Sequence, residues 1–568
     1  MVELLSGLDD EQRVAAEALL GPVCILAGAG TGKTRALTHR IANGVATGVY
    51  DPARVLALTF TTRAAGELRT RLRQLGAGGV SARTFHSAAL AQLSYFWPQL
   101  VGGSLPRILD GKARMLAQAA EQLRIRVDTA ILRDVAAEIE WRKISRLTLE
   151  DYGRAAASRA LPPGLGVETM VALQQAYETI KDDRRQLDFE DVLLATAGML
   201  DAEPWVAEQV RAQYRFFVVD EYQDVSPLQQ ELLDLWLGAR TDLCVVGDAS
   251  QTIYSFAGAT SEYLLGFGAK YPEATVVRLE TNHRSGTPIL QLANRLMRSR
   301  AGALELVAAP STPPAEPVAA PIAYDSDLDE ARGIAAAVAS EVQAGTRPER
   351  IAVLYRINSQ AAQLESALAE AGVSTRLIGA TRFFDLPYIK QAVLELGSVA
   401  RTGSAIPLFQ SVSDVLRNMG WTLQAPDGAG AVRERWEALN ALVELADQAP
   451  AGTTLAAFVD DLQHRQAAQH EPTVSAVVLS TLHSAKGLEW DSVHIAGLSE
   501  GLLPISHAKG LAAIDEERRL LYVGITRARR TLSLSWSRQG LRGQSREPSR
   551  FLAELRTSSS DAGARSSR

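Results

Sequence analysis

The stretch AGAGTGKT, Ala27–Thr34, is the part of the sequence that decides the fold. It follows an apolar run, Val23–Leu26, that predicts a short buried strand, and it precedes a helical pattern. A glycine-rich loop between a strand and a helix is the context that a phosphate-binding loop requires. Glycine allows the backbone to turn several N–H groups toward phosphate oxygens, and the helix N-terminus adds a favourable dipole. The stretch therefore predicts a nucleotide-binding α/β domain.

Two side chains at the end of this loop carry the expected chemistry. Lys33 would reach the β and γ phosphates of ATP, and the hydroxyl of Thr34 would ligate Mg²⁺. One position departs from the general pattern, because Ala27 stands where glycine is usual. The loop residues expected to bind the nucleotide are Ala27, Gly28, Ala29, Gly30, Thr31, Gly32, Lys33 and Thr34.

A second motif combines an apolar strand with two adjacent carboxylates, which suits the other half of an NTPase site. The sequence VVDEYQD spans Val218–Asp224. Asp220 would hold Mg²⁺, directly or through water, and Glu221 would accept a proton from the attacking water. An Asp-Glu pair by itself is equally typical of a solvated loop, but the upstream phosphate loop favours the functional interpretation.

Apolar runs that predict strands alternate with helical segments in two series along the chain. Such alternation predicts a parallel sheet with both faces covered. The expected strands of the first series are Val23–Leu26, Arg54–Phe60, Ser81–Phe85, Phe216–Asp220, Asp242–Asp248 and Thr275–Glu280. Those of the second series are Ile322–Asp325, Ile351–Arg356, Thr375–Ile378, Ala476–His483, Ser492–Leu498 and Thr531–Trp536. The fold class is therefore expected to be α/β, with two parallel-sheet domains.

A helical segment without clear strands interrupts each series, so each domain is expected to carry a helical insertion. The first domain is predicted at residues 1–95 and 188–280, with its insertion at 96–187. The second is predicted at residues 281–389 and 475–555, with its insertion at 390–474. The tail at 556–568 is rich in Ser, Ala and Arg and is expected to be disordered.

The composition is that of an ordinary globular chain, with 46% hydrophobic and 22% charged residues among 568. The net charge of -6 argues mildly against a nucleic-acid partner but does not exclude a local basic groove. Cys24 and Cys244 lie in apolar runs without metal-ligand spacing, so we expect small buried residues in a reducing compartment. No signal-peptide core and no apolar run near ~18 residues is found, so we expect a cytoplasmic protein without a membrane partner.

Further motifs occur in a regular order around the two nucleotide motifs. They are LDDEQ (Leu8–Gln12), LTFTTRAA (Leu58–Ala65), TFHS (Thr84–Ser87), VGDASQTIYSFAGA (Val246–Ala259), ETNHRS (Glu280–Ser285), IAVLYRINSQ (Ile351–Gln360), LSTLHSAKGLEWDSV (Leu479–Val493), EGLLP (Glu500–Pro504) and EERRLLYVGITRAR (Glu516–Arg529). The ordered set resembles superfamily 1 helicases of the UvrD/Rep/PcrA type, over residues 8 to 552. The resemblance implies two RecA-like motor domains and an ATP-dependent DNA helicase.

The resemblance also implies roles at the ATP site, which would lie in the cleft between the two domains. Gln12 would read the adenine, Arg35 would pack against it, and Glu489 would bind the ribose. His283 stands where the family usually has a tyrosine stacked on the base. Gln251 would sense the γ phosphate. Arg284 and Arg527, both assigned by position to the second domain, would be arginine fingers that stabilise charge on the transferring phosphoryl group.

For DNA, the resemblance implies 3′-to-5′ movement on single strands and at junctions between single-stranded and duplex DNA. Single-strand binding needs aromatic surfaces for the bases and hydrogen-bond donors for the backbone. The residues expected to contact DNA are Thr59, Phe60, Thr61, Thr84, His86, Tyr254, Phe256, Arg356 and His483. A lone phenylalanine is more often a core residue, but the motif places Phe60 and Phe256 at strand ends that would face the strand of DNA.

Departures from the family pattern leave alternatives open. Phe256 replaces the usual tryptophan, Ala257 the usual arginine, and Ile505 stands where a histidine often follows Pro504. The second insertion is about half the usual size, and we expect no accessory domain after the last motif. An alternative is therefore a single-strand translocase that displaces proteins and needs a loading or activating partner to unwind. An RNA helicase and a scaffold with a decayed ATP site are further alternatives, and the expected setting is DNA repair or replication restart.

Overall fold

The computed structural model describes residues 2–157, 159, 161–312, 314–378, 383–401, 406–426, 431–450, 452–468, 476–540 and 543–555. Packing divides the chain into two units. The first comprises Met1–Arg284 and Ser299–Ser311, and the second comprises Ser285–Arg298 and Thr312–Arg568. The predicted domain boundaries, including the change at residues 280 and 281, remain a prediction. The predicted tail at 556–568 lies outside the described residues.

Strands and helices alternate through the first unit. Its strands are β1 (Val23–Ala27), β2 (Val55–Thr59), β3 (Ser81–Thr84), β4 (Arg107–Ile108), β5 (Gln186–Leu187), β6 (Phe216–Val219), β7 (Leu243–Gly247), β8 (Thr275–Leu279), β9 (Thr281–Asn282) and β10 (Val307–Ala308). Its helices are α1 (Val2–Leu5), α2 (Asp10–Glu17), α3 (Lys33–Ala46), α4 (Thr62–Gln74), α5 (Phe85–Leu100), α6 (Ala113–Gln122), α7 (Thr129–Ile144), α8 (Leu149–Ala156), α9 (Val167–Asp183), α10 (Phe189–Ala202), α11 (Pro204–Gln213), α12 (Pro227–Leu237), α13 (Glu262–Leu265) and α14 (Phe267–Lys270).

The second unit repeats this alternation. Its strands are β11 (Ile322–Ser326), β12 (Ile351–Tyr355), β13 (Thr375–Ile378), β14 (Val477–Thr481), β15 (Trp490–Ile495) and β16 (Ala528–Gln539). Its helices are α15 (Thr287–Met297), α16 (Asp327–Gln343), α17 (Ala361–Glu370), α18 (Pro387–Arg401), α19 (Leu408–Asn418), α20 (Ala431–Asp447), α21 (Leu455–Ala468), α22 (Leu511–Ile525) and α23 (Arg550–Leu555). Among all the described helices, none has the length and apolar character needed to cross a membrane.

The main sheet of the first unit has six parallel strands in the order β3-β2-β6-β7-β1-β8. Successive side chains of its central strands face opposite sides, and both sides are apolar. Leu56 and Leu58 of β2 pack with α5, α10 and α12, whereas Val55 and Ala57 pack with α3 and α4. Because helices cover both faces, the strands form continuous apolar runs. The predicted α/β fold with parallel sheets is confirmed.

The segment between β3 and β6 is mostly helical. Helices α6 to α9 share an apolar core that includes Tyr152 and Tyr177. The Nζ atom of Lys143 in α7 lies 2.6 Å from the carboxylate of Asp188 and 2.8 Å from that of Asp191, at the start of α10. This buried ion cluster fixes the helical segment to a helix that packs on the main sheet. The pair β4–β5 was not predicted, because two-residue strands carry no recognisable periodicity.

The main sheet of the second unit also has six parallel strands, in the order β11-β16-β15-β12-β14-β13. Strand β16 has 12 residues and extends beyond the predicted Thr531–Trp536 at both ends. Its earlier residues pair with β15, as far as Leu534, and its later residues, from Ser535, pair with β11. The strand is long because its first part pairs with β15 and its last part pairs with β11.

Helices α18 to α21 lie between β13 and β14. They share an apolar core that includes Ile389, Leu416, Trp421 and Leu442. Several residues of the predicted insertion at 390–474 lie outside the described part of the chain, namely 402–405, 427–430, 451 and 469–474. The described helices agree with the helical character of this segment, while its predicted limits remain a prediction.

Candidate ATP site and DNA interface

The phosphate loop connects β1 to α3, and its shape is fixed by contacts with neighbouring segments. Gly30 and Gly32 have φ angles of +73° and +79°, which residues with a Cβ rarely adopt. A Cβ on Gly30 would lie 2.6 Å from the amide nitrogen of Asn282. That amide donates a hydrogen bond to the carbonyl of Ala29 at 2.6 Å. Both backbone conformation and space therefore require glycine at position 30, as a phosphate cradle does.

Lys33, the first residue of α3, lies among carboxylates. Its Nζ atom is 3.2 Å from Oε1 of Glu221. Burial by itself lowers the pKa of a lysine, but the charges of Glu221, Asp248 and Asp220 outweigh burial and raise the pKa of Lys33. The ammonium group is therefore charged at neutral pH. Its contact with the Glu221 carboxylate could be replaced by a contact with the oxygens of a bound phosphate.

Asp220 and Glu221 follow β6, at the carboxyl edge of the main sheet. Glu221 has a φ of +53°, a left-handed conformation that costs a residue other than glycine on the order of 1–3 kcal/mol. Oδ1 of Asp220 accepts the N–H of Glu221 at 3.0 Å. A carboxylate here suits Mg²⁺, which usually takes one or two protein ligands and completes its shell with phosphate oxygens and water.

Gln12 lies against the phosphate loop and has one atom available for a base. Its Nε2 atom donates to the carbonyl of Thr31 at 3.0 Å. Its Oε1 atom is buried and has no hydrogen-bond partner among the described residues. A buried acceptor without a donor is unfavourable, and the amino group of an adenine would supply that donor. The residue thus fits the predicted reading of adenine.

The two other residues predicted near the adenine contact the same N-terminal segment. Nε2 of His283 lies 2.7 Å from Oδ2 of Asp9. Asp9 is also the N-cap of α2 and accepts the N–H of Gln12 at 2.8 Å. Arg35 donates to the carbonyl of Gly7 at 2.6 Å. The segment from residue 7 to residue 12 therefore connects all three candidate adenine contacts.

Gln251 lies just after β7 and is held by Asp248. Its Nε2 atom donates to Oδ2 of Asp248 at 2.7 Å, and both side chains are buried. Burial raises the pKa of Asp248 despite the opposing charge of Lys33. The predicted γ-phosphate sensor is thus connected to the cluster around Lys33 through one carboxylate.

Arg284 lies beside the phosphate loop within the first unit. A Cβ on Gly30 would come within 2.9 Å of the Cβ of Arg284. The assignment of Arg284 to the second domain remains a prediction, while packing groups the residue with the first unit. The reason is the anchoring of the preceding residues, because Glu11 accepts the N–H groups of Glu280 and Thr281 at 2.8 and 3.0 Å.

Arg527 and Glu489 lie in the second unit, where α22 ends and β15 begins. The guanidinium of Arg527 is buried and donates to the carbonyls of Val523, at 2.8 Å, and Leu488, at 3.2 Å. Glu489 is exposed and lies 3.5 Å from the guanidinium of Arg529. In this structure Arg527 therefore stabilises the end of α22, and the phosphate role remains a prediction.

Most of the predicted DNA contacts in the first unit lie at the carboxyl ends of β2, β3 and β7. Because the sheet is parallel, these ends share one edge with the Lys33 cluster. Thr61 and Thr84 are N-caps of α4 and α5, accepting the N–H groups of Ala64 and Ser87, both at 3.1 Å. Thr59 is buried at the end of β2. These threonines therefore have structural roles at the same edge.

The aromatic residues at this edge differ in exposure. Phe60 is half-buried and packs on Phe85, with ring centroids 6.0 Å apart. Tyr254 is half-buried, whereas Phe256 is 67% exposed and meets the tyrosine ring edge-on. Phe256 is therefore the predicted aromatic that is best placed to stack on a base, and Phe60 serves largely as a core residue.

His86 contacts an aromatic residue, Phe189, that lies outside the sequence motifs. Its ring stacks on Phe189 at a centroid distance of 3.9 Å. Burial, followed by the charge of Lys112, lowers the pKa of His86 to about 4, so the ring is neutral at physiological pH. Phe189 is 53% exposed although it begins a helix. In the sequence, the only indication of Phe189 is an aromatic residue directly after the helix cap Asp188. Its contact with His86 is visible only in the structure.

Arg356 and His483 lie together in the second unit. Arg356 forms a two-pronged ion pair with Glu517, with nitrogen–oxygen distances of 2.7 to 3.1 Å. Burial, followed by the charges of Arg356 and Lys486, lowers the pKa of His483 to about 3. His483 is therefore a neutral hydrogen-bonding group, and Glu517 already engages the arginine that was predicted to contact DNA.

The fold and this site define a phosphate-loop nucleoside triphosphatase. The chain matches the UvrD/REP helicase N-terminal domain over residues 8–272 and the UvrD-like helicase C-terminal domain over residues 277–426 and 427–539. It therefore belongs to the UvrD/Rep family of helicases. The predicted family and enzyme class, an ATP-dependent DNA helicase, are confirmed at this level.

Individual relatives agree with the family matches. The chain is 46% identical over 573 residues to the ATP-dependent DNA helicase UvrD2 of Mycobacterium tuberculosis, covering 97% of this chain and 81% of the relative. It is 28% identical over 657 residues to the ATP-dependent DNA helicase PcrA of Bacillus subtilis, covering 97% and 86%. It is 29% identical over 646 residues to DNA helicase II of Escherichia coli, covering 97% and 88%.

Proposed function

We propose that this enzyme translocates 3′-to-5′ along single-stranded DNA and uses ATP hydrolysis to unwind duplex DNA, in DNA repair or replication restart in the cytoplasm. One observation carries the proposal. A charged Lys33, whose side chain is 12% exposed, lies with Asp220, Glu221 and Asp248 at the same sheet edge as the exposed ring of Phe256. Hydrolysis and contact with bases would then take place on loops of one rigid sheet.

In the proposed reaction, Lys33 binds the β and γ phosphates and Glu221 accepts the proton of the attacking water. Gln251 contacts the γ phosphate, and Arg284 and Arg527 stabilise the charge on the transferring phosphoryl group. Thr34 and Asp220 would hold Mg²⁺, which would supply positive charge to the phosphates when bound. The buried and unpartnered Oε1 of Gln12 supports adenine as the base.

For DNA, Phe256 and Phe189 are the proposed stacking surfaces, because their rings are more than half exposed at the sites described above. The proposed partners are single-stranded DNA and junctions with duplex DNA. Arg356 would contact a phosphate only with the guanidinium nitrogen that Glu517 does not engage, or after release from that carboxylate. A protein that loads or activates the enzyme is a further proposed partner.

Replacement of the exposed aromatic should weaken DNA binding. We expect Phe256→Ala to lower the affinity for single-stranded DNA by about 5- to 150-fold, because stacking contributes about 1–3 kcal/mol per base. The measurement is fluorescence anisotropy with a labelled oligonucleotide at constant salt. Tyr95→Ala is the matched control, since Tyr95 is 64% exposed and lies about 15 Å along α5 from the start of that helix. Equal affinities for the two variants would contradict the placement of DNA at Phe256.

The proposed function is tested by strand displacement on matched duplexes with a 3′ tail, a 5′ tail or blunt ends. We expect displacement of the 3′-tailed duplex alone, and only with ATP. Glu221→Gln is the control for dependence on hydrolysis. Displacement of the 5′-tailed duplex alone would reverse the proposed direction.

A second function, a translocase that needs a partner to unwind, is favoured by the small size of the second helical segment, α18 to α21. The same assay distinguishes it. If no duplex opens while single-stranded DNA still stimulates ATP hydrolysis, the translocase is the function. Stronger stimulation by RNA than by DNA would favour an RNA substrate, and no stimulation by either would remove the motor proposal.

A further inference from the structure

Gln223 lies in the loop after β6 and takes no part in the proposed reaction. Its side chain is fully buried and bridges two functional segments. The Nε2 atom donates a hydrogen bond to Oε2 of Glu221. The Oε1 atom accepts the backbone N–H of Asp248 at 3.0 Å. The side chain therefore joins the loops that follow the adjacent strands β6 and β7.

The orientation of this amide follows from its partners. A backbone N–H only donates, so the amide oxygen of Gln223 must face Asp248. The NH₂ group must then face Glu221, whose carboxylate only accepts when it is ionised. The amide oxygen also packs closely against Gly247, where a Cβ would lie 2.7 Å from it. The donor to Glu221 is thus determined by the backbone of the neighbouring strand.

This hydrogen bond acts on a carboxylate with an unusual backbone. Glu221 has its φ at +53°, in the left-handed region, and its Oε1 atom lies 3.2 Å from Nζ of Lys33. A backbone in a sparsely populated conformation persists when its surroundings over-determine it. Gln223 donates to Oε2 of Glu221, and Nζ of Lys33 lies 3.4 Å from the same atom, so the two side chains together fix the orientation of the carboxylate.

A second link extends from Gln223 to the predicted phosphate sensor. Asp248 donates its N–H to Gln223 and accepts the side-chain amide of Gln251 at 2.7 Å. The connection from Glu221 through Gln223 and Asp248 to Gln251 is buried apart from the carboxylate of Glu221, which is 29% exposed. Buried hydrogen-bond networks of this kind hold their members in one geometry.

We propose that Gln223 is a positioning residue that orients the carboxylate of Glu221 toward the attacking water and couples it to Gln251. The inference rests on the proposed role of Glu221 as the proton acceptor. Residues that orient metal ligands through hydrogen bonds typically change activity by about 10- to 100-fold when they are replaced, and we expect an effect of similar size for Gln223. The alternative is that Gln223 only stabilises the fold, in which case its loss lowers stability without a specific effect on turnover.

The test is a double-mutant cycle with Gln223→Met and Glu221→Gln, measuring DNA-stimulated ATP hydrolysis. We expect Gln223→Met alone to lower kcat by about 10- to 100-fold with an unchanged KM for ATP. In the Glu221→Gln background the same replacement should lower kcat no further, because the carboxylate on which Gln223 acts is gone. The matched control is Gln174→Met, another fully buried glutamine, which accepts a hydrogen bond from Arg142. It should lower the Tm and leave kcat unchanged.

Gln223→Glu is the second variant, because it keeps the size and an oxygen for the N–H of Asp248. It should also lower kcat, since it replaces the donor to Glu221 with a second carboxyl group. An equal loss in both backgrounds, or an unchanged kcat in both Gln223 variants, would overturn the inference while leaving the role of Glu221 intact. If Glu221→Gln itself retained the full kcat, the proposed role of Glu221 would fail and the inference would fail with it.

Discussion

Replacement of Glu221 by glutamine is expected to lower kcat for ATP hydrolysis by about 10²- to 10⁴-fold, the usual contribution of a general base. Glutamine has the same shape as glutamate but cannot accept a proton from water. ATP binding should persist, because Lys33 keeps its position near Asp220 and Asp248. The measurement is single-turnover hydrolysis with DNA present, together with the equilibrium binding of a fluorescent ATP analogue.

The control for this replacement is Glu67→Gln on α4, an exposed glutamate whose carboxylate pairs with Arg71 at 2.5 Å. It should leave both measurements unchanged. A loss of nucleotide binding in Glu221→Gln, at unchanged single-turnover rate for the bound fraction, would contradict the assignment. Glu221 would then hold Lys33 or Mg²⁺ in place without taking part in proton transfer.

Replacement of Arg527 by alanine has the largest expected effect, a decrease in kcat of about 10³- to 10⁵-fold, as is typical for an arginine finger. The structure adds a complication. The guanidinium also donates to the carbonyls of Val523 and Leu488, so alanine leaves acceptors of the second unit without their donor. We therefore expect a lower Tm alongside the loss of kcat, and both should be measured on the same preparation.

Arg527→Lys separates the two roles, because lysine keeps the charge but cannot reproduce the planar, two-pronged geometry. It should recover part of the Tm and little of kcat. Arg538→Ala in β16 is the control for loss of an arginine from the second unit, since its partner Asp325 is 89% exposed. If Arg527→Ala lowers the Tm and leaves kcat intact, the buried hydrogen bonds are its whole function and another arginine must stabilise the phosphoryl group.

The structure also limits what the motifs could predict about DNA contacts. Phe60 and Phe256 looked alike in the sequence, since each follows a strand within a family motif. One ring packs on Phe85 and the other is exposed. Whether a ring at a strand end faces the core or solvent depends on the helices that cover the sheet. The proposed stacking surface at Phe189 lies outside the motifs, and its ring partner His86 is 103 positions earlier in the chain.

The sequence by itself determined the α/β class, the phosphate loop around Lys33 and the carboxylates after β6. These features depend on local properties, such as strand periodicity, glycine conformations and short motifs, which a linear pattern records. Only the tertiary structure decided which groups act together. Lys33 meets Glu221 across 188 positions, Arg356 meets Glu517 across 161, and Gln223 reaches Asp248 from the neighbouring strand. Arg356 follows β12 and meets Glu517 on the helix α22. The pairs of Lys33 with Glu221 and of Gln223 with Asp248 form because parallel strands bring their carboxyl ends to one edge, and the order of strands in the sheet is settled by packing.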